Sequence, residues 1–233
     1  MPSPSAMMTF PLTRRLDEIE PFHVMEVIKR AAALEEAGRS VIHLSIGEPD
    51  FPAARPVLDA AVQSLQGGAM RYTHATGLPA LRESISSHYR ERFGLVVPAS
   101  RIVITAGASG ALLLACAALV ERDAEVLMPD PSYPCNRHFV TAFEGRPTMI
   151  PSGPAERFQL TAAMVRAHWG DRTAGVLLAS PSNPTGTSIA PKELAAIAHA
   201  VREHHGFTLV DEIYQRSEEH TSELQSRQYL VCR

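Results

Sequence analysis

Short apolar runs alternate with helical segments through the second half of this chain, and this alternation constrains the fold more than any other feature. From Arg101 onward the pattern strand, turn, helix repeats. Short apolar runs bounded by turn residues are typical of buried parallel strands. They predict five strands, at 102–105, 126–128, 147–150, 174–179 and 207–210. Strands that alternate with helices imply a parallel sheet with right-handed crossovers and helices on both faces.

The first hundred residues carry mainly helical periodicity. Their spacing predicts a helix over 15–34, a short strand over 41–46, and two more helices over 56–65 and 79–93. Thr161 is a good N-cap for one of the later helices. The later helices are predicted over 111–120, 135–143, 161–169 and 191–204, the last of them from apolar residues at four-residue spacing.

Two polar motifs follow two of the predicted strands. SPSNPTG follows 174–179, and DEIY follows 207–210. In open α/β sheets the carboxyl ends of the strands form the edge where ligands bind. Asn183, Asp211 and Tyr214 would therefore lie together there, and they suit a flat heterocycle with a ring nitrogen and a phenolic oxygen. Pyridoxal phosphate is such a molecule.

Two further features are compatible with this ligand but are weaker signals. The small-residue turn 106–110 feeds a helix N-terminus, where backbone N–H groups and the helix dipole favour a phosphate. It matches neither a dinucleotide fingerprint nor a P-loop. Tyr133 lies in the proline-rich turn PDPSYP, and its ring could stack on a flat heterocycle or be an ordinary turn aromatic.

Composition excludes several classes of partner. The net charge is −3 and basic residues do not cluster, which argues against nucleic acid. No apolar run approaches the ~20 residues of a membrane span, and the start lacks the apolar core of a secretory signal. Cys116, Cys135 and Cys232 are too widely spaced for a disulfide framework or a metal motif. We expect a cytoplasmic protein without metal.

Six motifs together give a stronger signal than any one of them. In chain order they are SIGEPDF, YTHATGLPALRESI, TAGASGALL, PDPSYP, SPSNPTG and DEIY. With these motifs the chain resembles the class I/II aminotransferases, the fold-type I pyridoxal-phosphate enzymes, from about Leu16 to about Gln215. The resemblance implies a three-layer αβα large domain with a mostly parallel sheet, of which five of seven strands would be present. It assigns 1–46 to an N-terminal arm and part of a small domain, and 47–215 to the cofactor-binding domain.

The resemblance also implies roles for individual residues around pyridoxal 5′-phosphate. The backbone of Gly107, Ala108 and Ser109 would hold the phosphate, and Ser109 would add a hydroxyl. Tyr133 would stack on the ring. In a homodimer, Tyr72 would reach across the interface to the neighbour's cofactor phosphate, although a packed surface aromatic is the alternative.

The ring and the substrate would have their own contacts. Asp211 would pair with the pyridinium nitrogen, and Asn183 and Tyr214 would hydrogen-bond the phenolic oxygen. The backbone at Gly47 would approach the substrate's α-carboxylate, which requires a residue without Cβ. A plain tight turn is the alternative for Gly47. Asn183 would also contact the substrate.

The implied reaction is transfer of an amino group between an amino acid and a 2-oxo acid. A β-lyase of the same fold would share the ring contacts, so these do not discriminate between the two. A transcription regulator with an aminotransferase-like domain would need a helix-turn-helix ahead of it, and only about fifteen residues precede this domain here. A non-catalytic fragment is the remaining alternative.

The end of the chain departs from the family pattern. The family's Schiff-base lysine lies beyond the tyrosine of DEIY, whereas the only lysines here are Lys29 and Lys192. We therefore expect the chain as written to be inactive. Residues 216–233 resemble translated sequencing adapter, beginning with RSEEHTSELQS. The family's strand order further implies that strand 102–105 has no sheet partner in this chain, and that open strand edges make it poorly soluble.

Overall fold

The structure is a computed structural model of the chain, and it describes residues 11–47, 51–68 and 72–215. These residues form two compact units. One consists of residues 21–105, and the other, the sheet unit, consists of residues 11–20 and 106–215.

A four-stranded parallel sheet is the centre of the sheet unit. Its strands are β1 (Glu125–Asp130), β2 (Arg146–Pro151), β3 (Thr173–Ala179) and β4 (Phe207–Asp211). Their order is β2-β1-β3-β4, and every neighbouring pair is parallel. The predicted parallel sheet is confirmed. Since all strands run the same way, their carboxyl ends share one edge, where Ala179 pairs with Asp211.

Seven α-helices lie in the described part of the chain. They are α1 (His23–Glu36), α2 (Arg55–Gln66), α3 (Pro79–Phe93), α4 (Gly107–Leu119), α5 (Cys135–Thr141), α6 (Ala162–His168) and α7 (Pro191–Glu203). Short 3₁₀ turns lie at Arg14–Glu18, Ala99–Arg101 and Pro154–Glu156. None of these described helices combines the length and the apolar character that crossing a bilayer requires.

The sheet is covered on both faces, which confirms the three-layer αβα arrangement. Successive residues of a strand point to opposite faces, so each strand supplies two cores. Leu127 and Val176 pack with residues of α6 and α7, whereas Val126 and Leu177 pack with residues of α4 and α5. All four side chains are at most 1% exposed. Burial on both faces explains why these strands read as continuous apolar runs.

Residues 102–105 do not form the predicted strand, whereas the expectation that this segment has no sheet partner is confirmed for the described residues. These residues are extended but pair with no strand, and they belong to the unit 21–105. The Ile104 N–H donates instead to the Thr76 carbonyl at 3.1 Å. A strand requires a ladder partner, and the sheet has four strands rather than five because this segment has none among the described residues.

Two other predictions need correction in the first hundred residues. The helix predicted over 15–34 divides into a 3₁₀ turn and α1, because Pro21 restricts its own backbone and that of the residue before it. Residues 41–46 form no strand and have no ladder partner among the described residues. The capping prediction is confirmed, since Thr161 Oγ1 accepts the Met164 N–H at 3.2 Å.

Candidate active site

Three predicted site residues lie at the carboxyl edge of β3 and β4, and two of them are hydrogen-bonded to each other. Asn183 lies in the loop 180–188 that follows β3, and Asp211 is the last residue of β4. Asn183 Nδ2 donates a hydrogen bond to the Tyr214 hydroxyl at 3.0 Å. Asp211 Oδ1 accepts the Ile213 N–H at 3.0 Å, a short turn that fixes the carboxylate and redirects the chain toward Tyr214.

Tyr133 belongs to the same group of side chains. It follows β1, and its pKa is raised to about 12 by burial, by a hydrogen bond with Cys135, and by Tyr214 and Asp211 nearby. The phenol is therefore neutral at physiological pH. Tyr133 therefore lies within electrostatic range of Tyr214 and Asp211 at this edge of the sheet.

The loop that carries Asn183 is held by its own backbone. The Ser182 N–H donates to the Thr187 carbonyl at 2.9 Å, and the Gly186 N–H donates to the Ser182 carbonyl at 2.8 Å. Gly186 has φ +66°, a conformation that glycine adopts without steric cost. The Ser180 N–H bonds the Asp211 carbonyl at 3.0 Å, so this loop and the end of β4 form one connected structure.

Glu212 is a residue of this region that the sequence did not single out. Burial, and secondarily the charge of Asp211, raises its pKa to about 7. Its Oε1 is buried and has no hydrogen-bond partner in the part of the chain that the structure describes. A carboxyl in this state is partly protonated near neutral pH. Its position between Asp211 and Tyr214 in the DEIY motif was the only signal available.

The glycine-rich segment begins a helix rather than forming a separate turn. Helix α4 starts at Gly107, which has φ +77°, and Ala108 and Ser109 lie in its first turn. The other end of α4 lies at the amino edge of the sheet, because a Cβ on Gly145, just before β2, would meet Val120 Cγ1. A helix of 13 residues spans ~20 Å, about the length of these strands.

The direction of α4 therefore brings its N-terminus to the same edge as Asn183 and Asp211. The first N–H groups of an α-helix have no partner within the helix, and the dipole is positive there. A phosphate is well suited to such a position. The three residues predicted for phosphate binding thus lie at the sheet edge that carries the ring-binding candidates.

Gly47 and Tyr72 lie in the unit 21–105. The Tyr72 side chain is fully exposed, and a Cβ built on Gly47 would meet no atom within 4 Å. Their roles toward a substrate carboxylate and a second subunit stay predictions.

The loop after Tyr72 is fixed by one arginine. Arg82 Nε donates to the carbonyls of Ala99 at 2.9 Å and Ile102 at 2.8 Å, and Nη1 donates to Thr76 Oγ1 at 3.0 Å. Gly77 has φ +94°, and a Cβ there would overlap Ile104 Cγ1 at 2.4 Å. The end of the motif YTHATG, at Thr76 and Gly77, is therefore packed tightly on the extended segment 102–105.

Comparison with known proteins shows the family. A sequence model of the family "Aminotransferase class I and II" matches residues 39–231. The valine–pyruvate aminotransferase of Mycobacterium tuberculosis is 40% identical over 196 residues, which are 84% of this chain and 50% of that protein. The (5-formylfuran-3-yl)methyl phosphate transaminase of Methanocaldococcus jannaschii is 34% identical, over 87% of this chain and 52% of that protein.

Solved structures similar to this chain are also aminotransferases. A crystal structure of an aminotransferase from Mycobacterium tuberculosis has a TM-score of 0.81 and 39% identity, and covers 88% of this chain and 52% of that one. Aspartate aminotransferase from Thermus thermophilus with maleate has a TM-score of 0.83 and 29% identity, over 88% of this chain and 54% of that one. The chain belongs to the class I and II aminotransferases, and it spans about half the length of the curated relatives it matches.

The range matched by the family model includes most of the C-terminal segment that was predicted to be foreign. It runs to residue 231 and so includes most of 216–233. These residues lie outside the described part, and their foreign origin stays a prediction.

Enzymes of this family depend on pyridoxal 5′-phosphate. The residues present fit this cofactor in their chemistry. Asp211 would offer a carboxylate to a ring nitrogen, and the bonded pair Asn183 and Tyr214 would offer donors to a ring oxygen. Tyr133 would offer an aromatic face, and the start of α4 would offer backbone N–H groups to a phosphate.

Proposed function

We propose that this chain supplies the cofactor-binding residues of an enzyme that transfers an amino group between an amino acid and a 2-oxo acid. The observation that carries the proposal is the 3.0 Å hydrogen bond between Asn183 and Tyr214, next to Asp211 at the carboxyl edge of the sheet. When bound, pyridoxal phosphate supplies an electron sink for the pair of electrons released at the substrate's α-carbon.

Asp211 would keep the ring nitrogen protonated. A carboxylate beside a pyridinium favours the charged form of both groups, since each stabilises the opposite charge. The hydrogen bond from the Ile213 N–H to Oδ1 holds the carboxylate in one orientation.

Asn183 and Tyr214 would act as two donors on the ring's phenolic oxygen. The Tyr214 oxygen already accepts one N–H of Asn183, so the hydroxyl proton of Tyr214 points to another acceptor. Asn183 keeps a second N–H of its own for the same purpose. Because a donor that accepts a hydrogen bond is itself polarised, the pair binds an ionised oxygen better than either residue alone.

Gly107, Ala108 and Ser109 would hold the phosphate. Backbone N–H groups at the start of α4 bind an anion without a lysine or arginine, and the Ser109 hydroxyl adds a donor. Holding the phosphate there and the ring at Asp211 would fix the cofactor at both ends.

The names of relatives support the substrate class. Proteins 29–40% identical to this chain are called valine–pyruvate, asparagine–oxo-acid and aspartate aminotransferases or transaminases. On the basis of these names, we propose an amino acid and a 2-oxo acid as the substrates of the enzyme to which this chain belongs. We also propose a cytoplasmic location, supported by Cys116 and Cys135, which form no disulfide within the described residues. A homodimer is supported by the fully exposed ring of Tyr72.

The positions of the two lysines, Lys29 and Lys192, determine whether this chain can attach the cofactor covalently. Lys29 lies in α1, where it pairs with Glu26 at 2.7 Å, and Lys192 lies in the first turn of α7. Neither follows Tyr214 in the chain, as the family pattern requires. We therefore propose that the 233-residue chain binds the cofactor without attaching it covalently and does not turn over substrate.

Product analysis tests the proposal. The chain is incubated with pyridoxal phosphate, a panel of amino acids and one 2-oxo acid that accepts the amino group. A longer version, in which the family's lysine follows Tyr214, is treated in the same way. We expect a 2-oxo acid and a new amino acid only from the longer version. Ammonia with pyruvate would indicate a β-lyase instead. A failure of both versions to bind the cofactor would contradict the proposed function, and borohydride reduction that links cofactor to Lys29 or Lys192 would contradict inactivity.

A further inference from the structure

One buried side chain outside the motifs contacts the loop that carries Asn183. Gln159 is 3% exposed and lies between β2 and α6. Its Nε2 donates to the Ala179 carbonyl at 3.1 Å and to the Thr187 carbonyl at 2.9 Å. Ala179 closes β3, and Thr187 lies after Asn183 in the loop. A single amide nitrogen therefore joins the two ends of the segment that carries Asn183.

The chemistry of these contacts selects glutamine. Both acceptors are carbonyl oxygens, so the amide nitrogen must face them. Its Oε1 is buried and has no hydrogen-bond partner among the described residues, an arrangement that costs free energy. Methionine would avoid that cost but would leave two carbonyls without the donor. Glutamate would place an anionic oxygen against them.

The two residues immediately before Gln159 have strained backbone conformations. Arg157 and Phe158 have φ of 54° and 57°, the left-handed region that side chains with a Cβ rarely adopt. The turn is held by the Phe158 N–H, which donates to the Gly153 carbonyl at 2.8 Å, and by the Glu156 carboxylate, which accepts the Gly153 N–H at 3.1 Å. Strain of this kind persists where the surroundings enforce it, and it is concentrated at functional sites.

We propose that Gln159 is a positioning residue for the cofactor site, which holds the loop 180–188 so that the Asn183 amide meets the Tyr214 hydroxyl. The inference rests on the proposed function for the role of Asn183, but the contact itself is a property of the chain. Gln159 acts through the loop backbone and does not touch the cofactor.

The asparagine content of the chain allows a direct measurement. Asparagine occurs only at positions 136 and 183. A sample labelled with ¹⁵N in asparagine therefore gives two side-chain NH₂ signals. Asn136, which is 2% exposed and lies in α5, serves as the internal reference. The rate at which each NH₂ exchanges with water reports its local hydrogen bonding without any ligand.

Gln159→Met and Gln159→Glu are compared with the original chain and with Gln63→Glu, a change of the same type on an exposed face of α2. The affinity for pyridoxamine 5′-phosphate is measured by calorimetry on the same samples. This probe has no aldehyde, so its binding requires no lysine.

We expect Gln159→Met to raise the exchange rate of the Asn183 NH₂ group about tenfold and to leave the exchange rate of the Asn136 NH₂ group unchanged. The same variant should bind pyridoxamine phosphate about tenfold more weakly, which corresponds to the loss of roughly one hydrogen bond. Gln159→Glu should do the same at about pH 8 and recover at about pH 5, where a protonated carboxyl can donate to one carbonyl. Gln63→Glu should change neither quantity.

Other outcomes overturn the inference or separate it from the proposed function. An unchanged exchange rate at Asn183 in the Gln159 variants would contradict the positioning role. Equal changes in the exchange rates of Asn136 and Asn183 would contradict it too, and so would the loss of both NH₂ signals in Gln159→Glu at either pH. If Asn183 alone responds but the original chain does not bind pyridoxamine phosphate, the positioning role stands and the proposed function of the chain fails.

Discussion

The hydrogen bond between Asn183 and Tyr214 leads to a prediction at the scale of single residues. Donors to an oxygen favour its ionised form, so they lower its pKa. Replacing Tyr214 with phenylalanine removes one donor, and the pKa of the ring hydroxyl of bound pyridoxamine phosphate should rise by about one unit, the equivalent of one hydrogen bond. Absorbance titration of the bound ligand measures this value. A Tyr89→Phe variant in α3 is the control, and an unchanged pKa in Tyr214→Phe would rule out contact with the ring oxygen.

The buried carboxyl of Glu212 should make the stability of the chain depend on pH. Its pKa is raised from 4.5 to about 7 by burial and by Asp211. Because the pKa of Glu212 is higher in the folded than in the unfolded chain, its protonation adds to the free energy of unfolding. This contribution is complete below pH 4.5 and is lost as the pH rises through about 7. Glu212→Gln should remove this loss and gain about 1 kcal/mol above pH 7, a figure reduced for solvent screening. Urea unfolding at pH 5 and pH 8 checks it, with the exposed Glu91→Gln as control. Parallel pH profiles of Glu212→Gln and the original chain would contradict it.

The sequence predicted helices and strands, and the position of the site candidates on the sheet, well where local residues determine them. Helix α3 covers the predicted range, and the positions of Asn183 and Asp211 at the carboxyl ends of strands were predicted because each follows an apolar run. The apolar run at 102–105 indicated a strand that does not form, because a ladder partner is a tertiary property that a short run cannot reveal. The absence of a partner was expected only from the family's strand order. Gln159 escaped prediction for a similar reason. Its partners are main-chain carbonyls 20 and 28 residues away, and backbone groups leave no pattern in the sequence.

The packing of the YTHATG loop on 102–105 gives a prediction at the scale of elements. Gly77 combines φ +94° with a Cβ position that overlaps Ile104, whereas Gly38 has φ +80° and open space around it. Gly77→Ala should therefore lower the free energy of unfolding by about 3 kcal/mol, from backbone strain and overpacking together. Gly38→Ala should cost only about 1 kcal/mol, from the backbone alone. Denaturant unfolding of both variants measures the difference. Equal losses would mean that Ile104 moves aside freely.

Apolar surface is distributed unevenly over the whole molecule. The cores on the two faces of the sheet are closed, but α1 and α2 contain no buried residue. Large apolar side chains of α2 are 42–62% exposed, at Val57, Leu58, Val62 and Leu65. Among the described residues β2 and β4 also form sheet edges, each with one paired side. Contiguous exposed apolar surface and unpaired strand edges both favour association between molecules.

We therefore expect the chain to self-associate as its concentration rises, and the helix α2 allows a specific test. Val57→Glu with Val62→Glu places two charges on its apolar face, so the doubly substituted chain should stay monomeric at concentrations where the original chain forms larger species. Gln63→Glu adds a charge on the opposite face of the same helix and should have no such effect. Sedimentation velocity over about a hundredfold concentration range distinguishes these results. If the double substitution leaves association unchanged while the melting transition is retained, α2 is not the surface involved, and the unpaired edge of β4 becomes the remaining cause to test, with Thr208→Lys as the variant.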